Sequence, residues 1–325
     1  MLSRRNFLSS LGGLTLASAF GGLVSPARAS TVKDLLRDEL ESGRACGGHA
    51  TAIRATLQRL ESTVPPGAGR TIVVDMPSQH LGAYEDGNLV LESRVVVGDK
   101  GWQTPDLDTR VNFVRFNPTW TVPESILKAR GWRNKVDEDP GYFSRLNFKL
   151  ELDGSMVDPE EASGRGSNVG RFVQQPGPGN ALGRVKLGLS AGGAIYLHDT
   201  NDPGAFDEDA RALSHGCIRV EEAVPLAAWV LGMSDFEAED LVAGDDRRDR
   251  SDMPSPVRVV TTYFTAWPDA NGDILYYPDI YGREGRSTDG CETGHNAGAW
   301  GANEDGVITA YEDNSPPSEV IIYGE

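Results

Sequence analysis

A chain of 325 residues, 39% of them hydrophobic, can bury a substantial core; this excludes a disordered protein and fits one large domain or one domain with appendages. Its 31 basic and 48 acidic side chains leave a formal net charge of −17. Such a surface repels phosphate backbones, and with no basic patch of interleaved aromatics nucleic-acid binding is not expected; a substrate carrying free amines suits the field better.

The chain opens with MLSRRNFLSSLGGLTLASAFGGLVSPARA: the pair Arg4-Arg5, an apolar run from Phe7 to Val24, and a small-x-small ending at Ala27-Arg28-Ala29. This is the order of a twin-arginine export signal cleaved after Ala29, which leads to the periplasm. A membrane anchor is the competing reading, but Gly12, Gly13, Gly21 and Gly22 dilute a run near the lower length limit for a bilayer span. Cleavage removes three arginines and no acid, taking the charge to −20.

From 30 to 66, VKDLLRDEL and ATAIRATLQRLEST space their apolar residues by three and four and predict two short helices, ended by Val64-Pro65-Pro66-Gly67. The rhythm then becomes that of short strands: RTIVVDMPSQHLGAYEDGNLVLESRVVVGD contains EDGN as a hairpin turn, so a mainly β domain starts at about 67. NPTWTVPESILKARGW breaks the rhythm with Pro118, Pro123 and a helical ESILKAR, predicting a helical insert or lid over about 118–166. Strands return at GRVKLGL and AIYLHD, VEEAVPLAAWVLG predicts a helix, and VRVVTTYFTAW a strand. In the extension from 266 to 325, DANGDIL and NEDGVIT predict turns; Asp269, Asn271 and Asp273 alternate like calcium ligands, but glycine falls at the wrong position for that loop.

Three cysteines, Cys46, Cys217 and Cys291, are an odd number; one arithmetic solution in an oxidising compartment bridges Cys46 to Cys291 and leaves Cys217 free. Cys217 lies nineteen residues after His198, within YLHDTNDPGAFDEDARALSHGCIRV. A thiol attacks a carbonyl as thiolate and needs a base or a positive field beside it. His198 ends an apolar strand and Cys217 follows Gly216 in a turn, so the two can meet, and the amides of His215, Gly216 and Cys217 could converge on an oxyanion. A zinc site of His198, His215 and Cys217, or a buried structural cysteine, are the alternatives.

HDTNDP followed by SHGCIR, with fifteen residues between His198 and Ser214, resembles the signature of the L,D-transpeptidases. TPDLDTRVNFVRFNPTWTVPESI, PGPGNALGRVKL, AIYLHDT and TTYFTAWPDANGDILYYPDIYGR extend the resemblance over about Arg70 to Arg283, toward the large periplasmic branch typified by YcbB. The resemblance implies a YkuD-type β-sandwich or barrel over 67–265 and acyl transfer without metal or organic cofactor. In it Cys217 is the nucleophile, His198 the general acid/base, and His215 and Gly216 form the oxyanion loop. Asp199 orients His198 through its carbonyl or side chain. Tyr196, Arg219 and Ser214 line the substrate site, Arg219 either gripping a carboxylate or closing a loop salt bridge; Asn117 and Trp120 shape the groove or pack in the core. The implied partners are peptidoglycan tetrapeptide stems and wall-synthesis proteins, met at the cell wall without spanning the membrane. The implied reaction is a 3-3 crosslink formed through a thioester, and the implied inhibitors are carbapenems.

The chain departs from that branch in having only about forty residues between signal and first strand, where relatives carry a large scaffold. The stretch after Arg283, with Cys291 and His295, has no family role; its Cys-x3-His pair reads as a metal pair or as a glycine-rich loop with a stray histidine. A hydrolase using water as acceptor and a non-catalytic wall-binding scaffold remain open beside the transpeptidase.

Overall fold

The structure, a computed structural model, describes residues 26–63, 66–244 and 246–285. The export signal up to residue 25, the NEDGVIT turn, Cys291 and His295 lie outside the described residues.

The two periodic segments are helices α1 (Pro26–Glu41) and α2 (Gly47–Ser62). Their apolar stripes, Val32 and Leu36 on one and Ala50, Ile53 and Leu60 on the other, bury with Val73, Tyr84, Phe264 and Trp267 in one cluster, so both helices dock on the β domain. Cys46, which precedes α2, is disulfide-bonded; its expected partner lies outside the described residues. None of the described helices is long and apolar enough to cross a membrane.

The β domain begins with β1 (Arg70–Asp75), β2 (His80–Glu85) and β3 (Asn88–Gly98). Asp86 and Gly87 join β2 to β3 with φ of 48° and 79°, the two positive values that a tight two-residue hairpin turn demands. After β4 (Asp108–Phe116) comes the insert: β5 (Trp120–Thr121), α3 (Glu124–Ala129), α4 (Trp132–Glu138), α5 (Pro140–Arg145), β6 (Phe148–Leu152), β7 (Ser155–Val157) and β8 (Val169–Gln174). The chain then returns through β9 (Val185–Leu189), β10 (Tyr196–His198), β11 (Ala212–Ser214) and β12 (Ile218–Val220) to α6 (Ala223–Leu231) and α7 (Asp235–Ala243). It closes with β13 (Arg248–Arg250), β14 (Val257–Thr262), β15 (Ala266–Pro268) and β16 (Ile274–Tyr276).

The main sheet runs β11-β3-β12-β10-β9-β4-β14-β1-β2, with β13 on β4, and β2 also pairs with β3. The order therefore closes on itself as a barrel, which removes most of the exposed edge. Alternate residues of its strands, among them Ile72, Val74, Leu81, Val95, Val97, Val114, Leu187, Leu197 and Ile218, form one core with α6. Nearly every residue of α6 is apolar, and it ends at Gly232, whose φ of 67° closes the helix.

The insert is more than the helical lid expected at 118–166. Its helices have six or seven residues each, too short to bury an aromatic core by themselves. A four-stranded antiparallel sheet, β5-β8-β6-β7, supplies the floor and runs on to Gln174. On it Trp132 meets Trp120, Phe143 and Phe148 edge-to-face at centroid distances of 6.3, 5.4 and 5.5 Å, pairs worth about 0.5–1.5 kcal/mol each beyond their burial.

VRVVTTYFTAW is two strands rather than one. Its chain breaks at Tyr263–Thr265, where the buried Asp75 carboxylate accepts from the Thr262 hydroxyl and the Phe264 amide. β15 then pairs with β16 across the DANGDIL hairpin, whose Asp269 carboxylate accepts from the amides of Asn271 and Asp273.

Candidate active site

Strand β10 lies between β9 and β12. His198 stands opposite Lys186 in the antiparallel pair and opposite Arg219 in the parallel one, and Tyr196 stands opposite Gly188. Period-two alternation sends Leu187, Leu197 and Ile218 into the core and turns Tyr196, His198, Lys186 and Arg219 to the other face. Cys217, one residue before Ile218, falls on that same face. Motif positions nineteen residues apart are thus brought together by two strands in register.

His198 is 5% exposed, and its Nδ1 lies 2.5 Å from the Asp199 carbonyl oxygen. A carbonyl only accepts, so Nδ1 carries the proton and Nε2 keeps its lone pair. Asp199 orients the imidazole with its backbone; its carboxylate accepts instead from the Arg184 and Thr200 amides, both at 2.8 Å. The amide and hydroxyl of Tyr196 face the Cys217 sulfur as donors, and the thiol reaches the Ala194 carbonyl at 3.5 Å.

The SHGC turn is held from within. The Ser214 hydroxyl donates to the Cys217 carbonyl (2.5 Å) and accepts from the Gly216 amide (3.1 Å). The Thr104 hydroxyl donates to the Gly216 carbonyl (3.0 Å) and accepts from the Gly98 amide (2.9 Å). Gly216 has φ of 101°, a conformation only glycine adopts without strain.

Two expectations are corrected here. Ser214, expected to line the substrate site, is buried with its hydroxyl committed both ways, which makes it a brace of the turn. The Gly216 amide donates to the Ser214 hydroxyl, which leaves the amides of His215 and Cys217 as the loop's candidate donors toward an oxyanion.

The remaining expected residues divide. Arg219 faces the site, with Asp202 at 3.9 Å, a contact loose enough to yield to a substrate carboxylate. His215 packs on Trp102 at 5.3 Å, and no group of three or more His, Cys, Asp or Glu side chains converges as metal ligands among the described residues.

Trp120 is buried in the insert core, the packing alternative, and its side chain donates to the Tyr196 hydroxyl. Asn117 is also buried: its amide donates to the Leu241 carbonyl at 3.2 Å and to that of Gly244, and its φ of 48° marks a loop corner. Three residues escaped sequence reading: Lys186, Thr104 and Trp102. Of these only Lys186 carried a local signal, a charge at an alternating position inside the apolar run VKL.

Burial pushes the Cys217 thiol above the ordinary cysteine range, only partly offset by the Tyr196 donors and the charges of Lys186 and Arg219. Burial, helped by Arg219 and Lys186, pushes His198 down to about 3. With the acid raised and the base lowered, both are neutral at pH 7. Alkylation of Cys217 by iodoacetamide is therefore expected to keep climbing with pH past 9, the usual thiol value; a rate plateau at neutral pH would show a resting thiolate–imidazolium pair instead.

The YkuD family profile, described as the L,D-transpeptidase catalytic domain, matches residues 69–259, from β1 into β14. A Haemophilus influenzae protein assigned as an L,D-transpeptidase is 37% identical over 235 residues, 69% of this chain and 46% of that protein; the chain spans about half the length of this curated relative. Among solved structures, the L,D-transpeptidase from Mycobacterium smegmatis overlays at 14% identity with a TM-score of 0.30, covering 60% of this chain and 62% of that one. L,D-transpeptidase 1 of Mycobacterium tuberculosis does so at 12% and 0.25, covering 60% and 63%. A profile match over more than half of the sequence, containing both His198 and Cys217, places the chain in the L,D-transpeptidase catalytic domain family.

Proposed function

We propose that the chain is an exported peptidoglycan L,D-transpeptidase that forms 3-3 crosslinks through a thioester on Cys217. The observation that carries this reading is the register of β10 on β12, which sets a thiol faced by two Tyr196 donors beside an imidazole with a free Nε2.

In the first step His198 Nε2 takes the thiol proton as sulfur attacks the carbonyl between the third residue, a diamino acid, and the terminal D-alanine of a tetrapeptide stem. The oxyanion that forms is met by the Cys217 amide, a donor fixed in place before the reaction and worth roughly 10²- to 10³-fold in rate. Collapse breaks the C–N bond, His198 returns its proton to the departing amine, and a thioester remains. The side-chain amine of a second stem then attacks, His198 takes that proton and passes it to the leaving sulfur, and an amide crosslink results. The acidic surface favours approach of this amine-bearing acceptor. The twin-arginine leader accords with a periplasmic site of action.

The test is mass spectrometry of purified disaccharide-tetrapeptide incubated with the mature protein. Dimers linked 3-3 are the expected product. Tripeptide without dimers would make the chain a hydrolase on the same fold, and no turnover would favour the wall-binding scaffold.

A further inference from the structure

On the site's face a row of side chains crosses four strands in register. Arg115 of β4 stands opposite Lys186 of β9, Lys186 opposite His198, and His198 opposite Arg219. With adjacent strands about 4.8 Å apart, Lys186 and Arg219 flank the imidazole.

The three cations are not equally satisfied. Arg115 makes two bonds of 2.6 Å to the Asp249 carboxylate, and Arg219 leans on Asp202. The Lys186 ammonium has no carboxylate within ion-pair distance among the described residues. It sits instead 3.5 Å from the centroid of the Tyr196 ring, the ring whose hydroxyl faces the Cys217 sulfur.

Half-burying an ammonium against an aromatic face, with no directly bonded carboxylate, leaves part of its desolvation cost unrecovered. Asp249 acts on Lys186 only at a distance, its carboxylate being bonded to Arg115, and the other negative group the lysine senses is the Cys217 sulfur itself; an ammonium beside the nucleophile with no bonded carboxylate is placed to meet an anion that arrives from outside. Under the reading above, the donor stem brings one. Its terminal carboxylate lies two bonds beyond the scissile nitrogen, and so must come to rest within a few ångströms of the attacked carbonyl.

We propose that Lys186 is a specificity-determining residue whose ammonium docks the free C-terminal carboxylate of the donor stem. The inference rests on the transpeptidase reading for the identity of the donor and on the row itself for the existence of an anion subsite. It also gives the row a kinetic role. The charges of Lys186 and Arg219 oppose protonation of His198 and favour the Cys217 thiolate, so a carboxylate that neutralises Lys186 makes the imidazole a better base and the thiol a weaker acid together.

The test compares wild type, Lys186→Met and Lys186→Arg on disaccharide-tetrapeptide and on its C-terminal amide. The methionine variant is expected to lose about tenfold in kcat/KM on the acid, mainly through KM, the value of one charge-assisted hydrogen bond. On the amide it should lose clearly less, only what the ammonium contributes to the Cys217 and His198 protonation equilibria, and arginine should restore most of the acid's advantage. Equal losses on acid and amide would overturn the proposal.

A second measurement is independent of stems: the rates of iodoacetate and iodoacetamide on Cys217, read on its tryptic peptide. Lys186→Met should lower the iodoacetate-to-iodoacetamide ratio by about tenfold, and an unchanged ratio would also overturn the proposal. If wild type consumes neither stem while the ratio still depends on Lys186, the anion subsite stands and the transpeptidase reading fails.

Discussion

Alanine at Cys217 is expected to abolish both product formation and covalent capture of a β-lactam. Among the described residues the sulfur is the nucleophile set beside the His198 base, so its removal ends the two-step route and does not merely slow it. A carbapenem offers a strained amide carbonyl in place of the D-alanine linkage, and ring opening by Cys217 leaves a thioester with no departing fragment. Intact-mass measurement after excess imipenem should show wild type heavier by one inhibitor and Cys217→Ala unchanged. An unmodified wild type would count heavily against the thioester reading. A modified alanine variant would move the nucleophile elsewhere.

Loss of the base should cost less, but still by orders of magnitude. With His198→Ala, the imidazole placed to take the thiol proton is gone, and burial has made that proton harder to remove. Acylation should fall roughly 10²- to 10⁴-fold, the ordinary value of a positioned acid–base group. His198→Gln separates the ring's two roles, because its side-chain amide can still donate to the Asp199 carbonyl but is far too weakly basic to take the thiol proton. Both variants should therefore be slow in single-turnover acylation. Their alkylation by iodoacetamide at high pH, where solvent hydroxide ionises the thiol directly, should approach wild type. A loss below tenfold in either variant would mean that another group takes the proton.

Local sequence was a good guide wherever local physics decides. Asp86-Gly87 specifies its hairpin because two successive positive φ values admit few residues, and the SHGC motif specifies its turn because Gly216 sits at φ of 101°. The helices α1 and α2 follow from apolar spacing alone. Less was legible where distant segments decide. β1 pairs along its whole length with β14, Arg70 opposite Val257 through Asp75 opposite Thr262, and nothing in either strand names the other.

The same limit explains the site. Ser214 and Asn117 read as polar residues near a motif, yet carbonyls supplied by the turn and by the end of α7 draw both inward. Lys186 acquires its meaning only when β9 is laid beside β10. ESILKAR is the strongest local pattern in the insert and points to helix, whereas the alternation in FKLEL matters only once β8 covers it.

Trp120 belongs to the insert's core, yet its side chain reaches the Tyr196 hydroxyl that faces the nucleophile. The accessory subdomain and the reacting sulfur are thus two handshakes apart. Grafting the insert of another family member onto this barrel would replace the second hand, and a chimaera could fold fully while leaving Tyr196 misaligned over Cys217. Diversification of this segment is therefore tethered to the chemistry: the insert can vary at its outer helices, but at its inner edge it must continue to present a donor to one tyrosine.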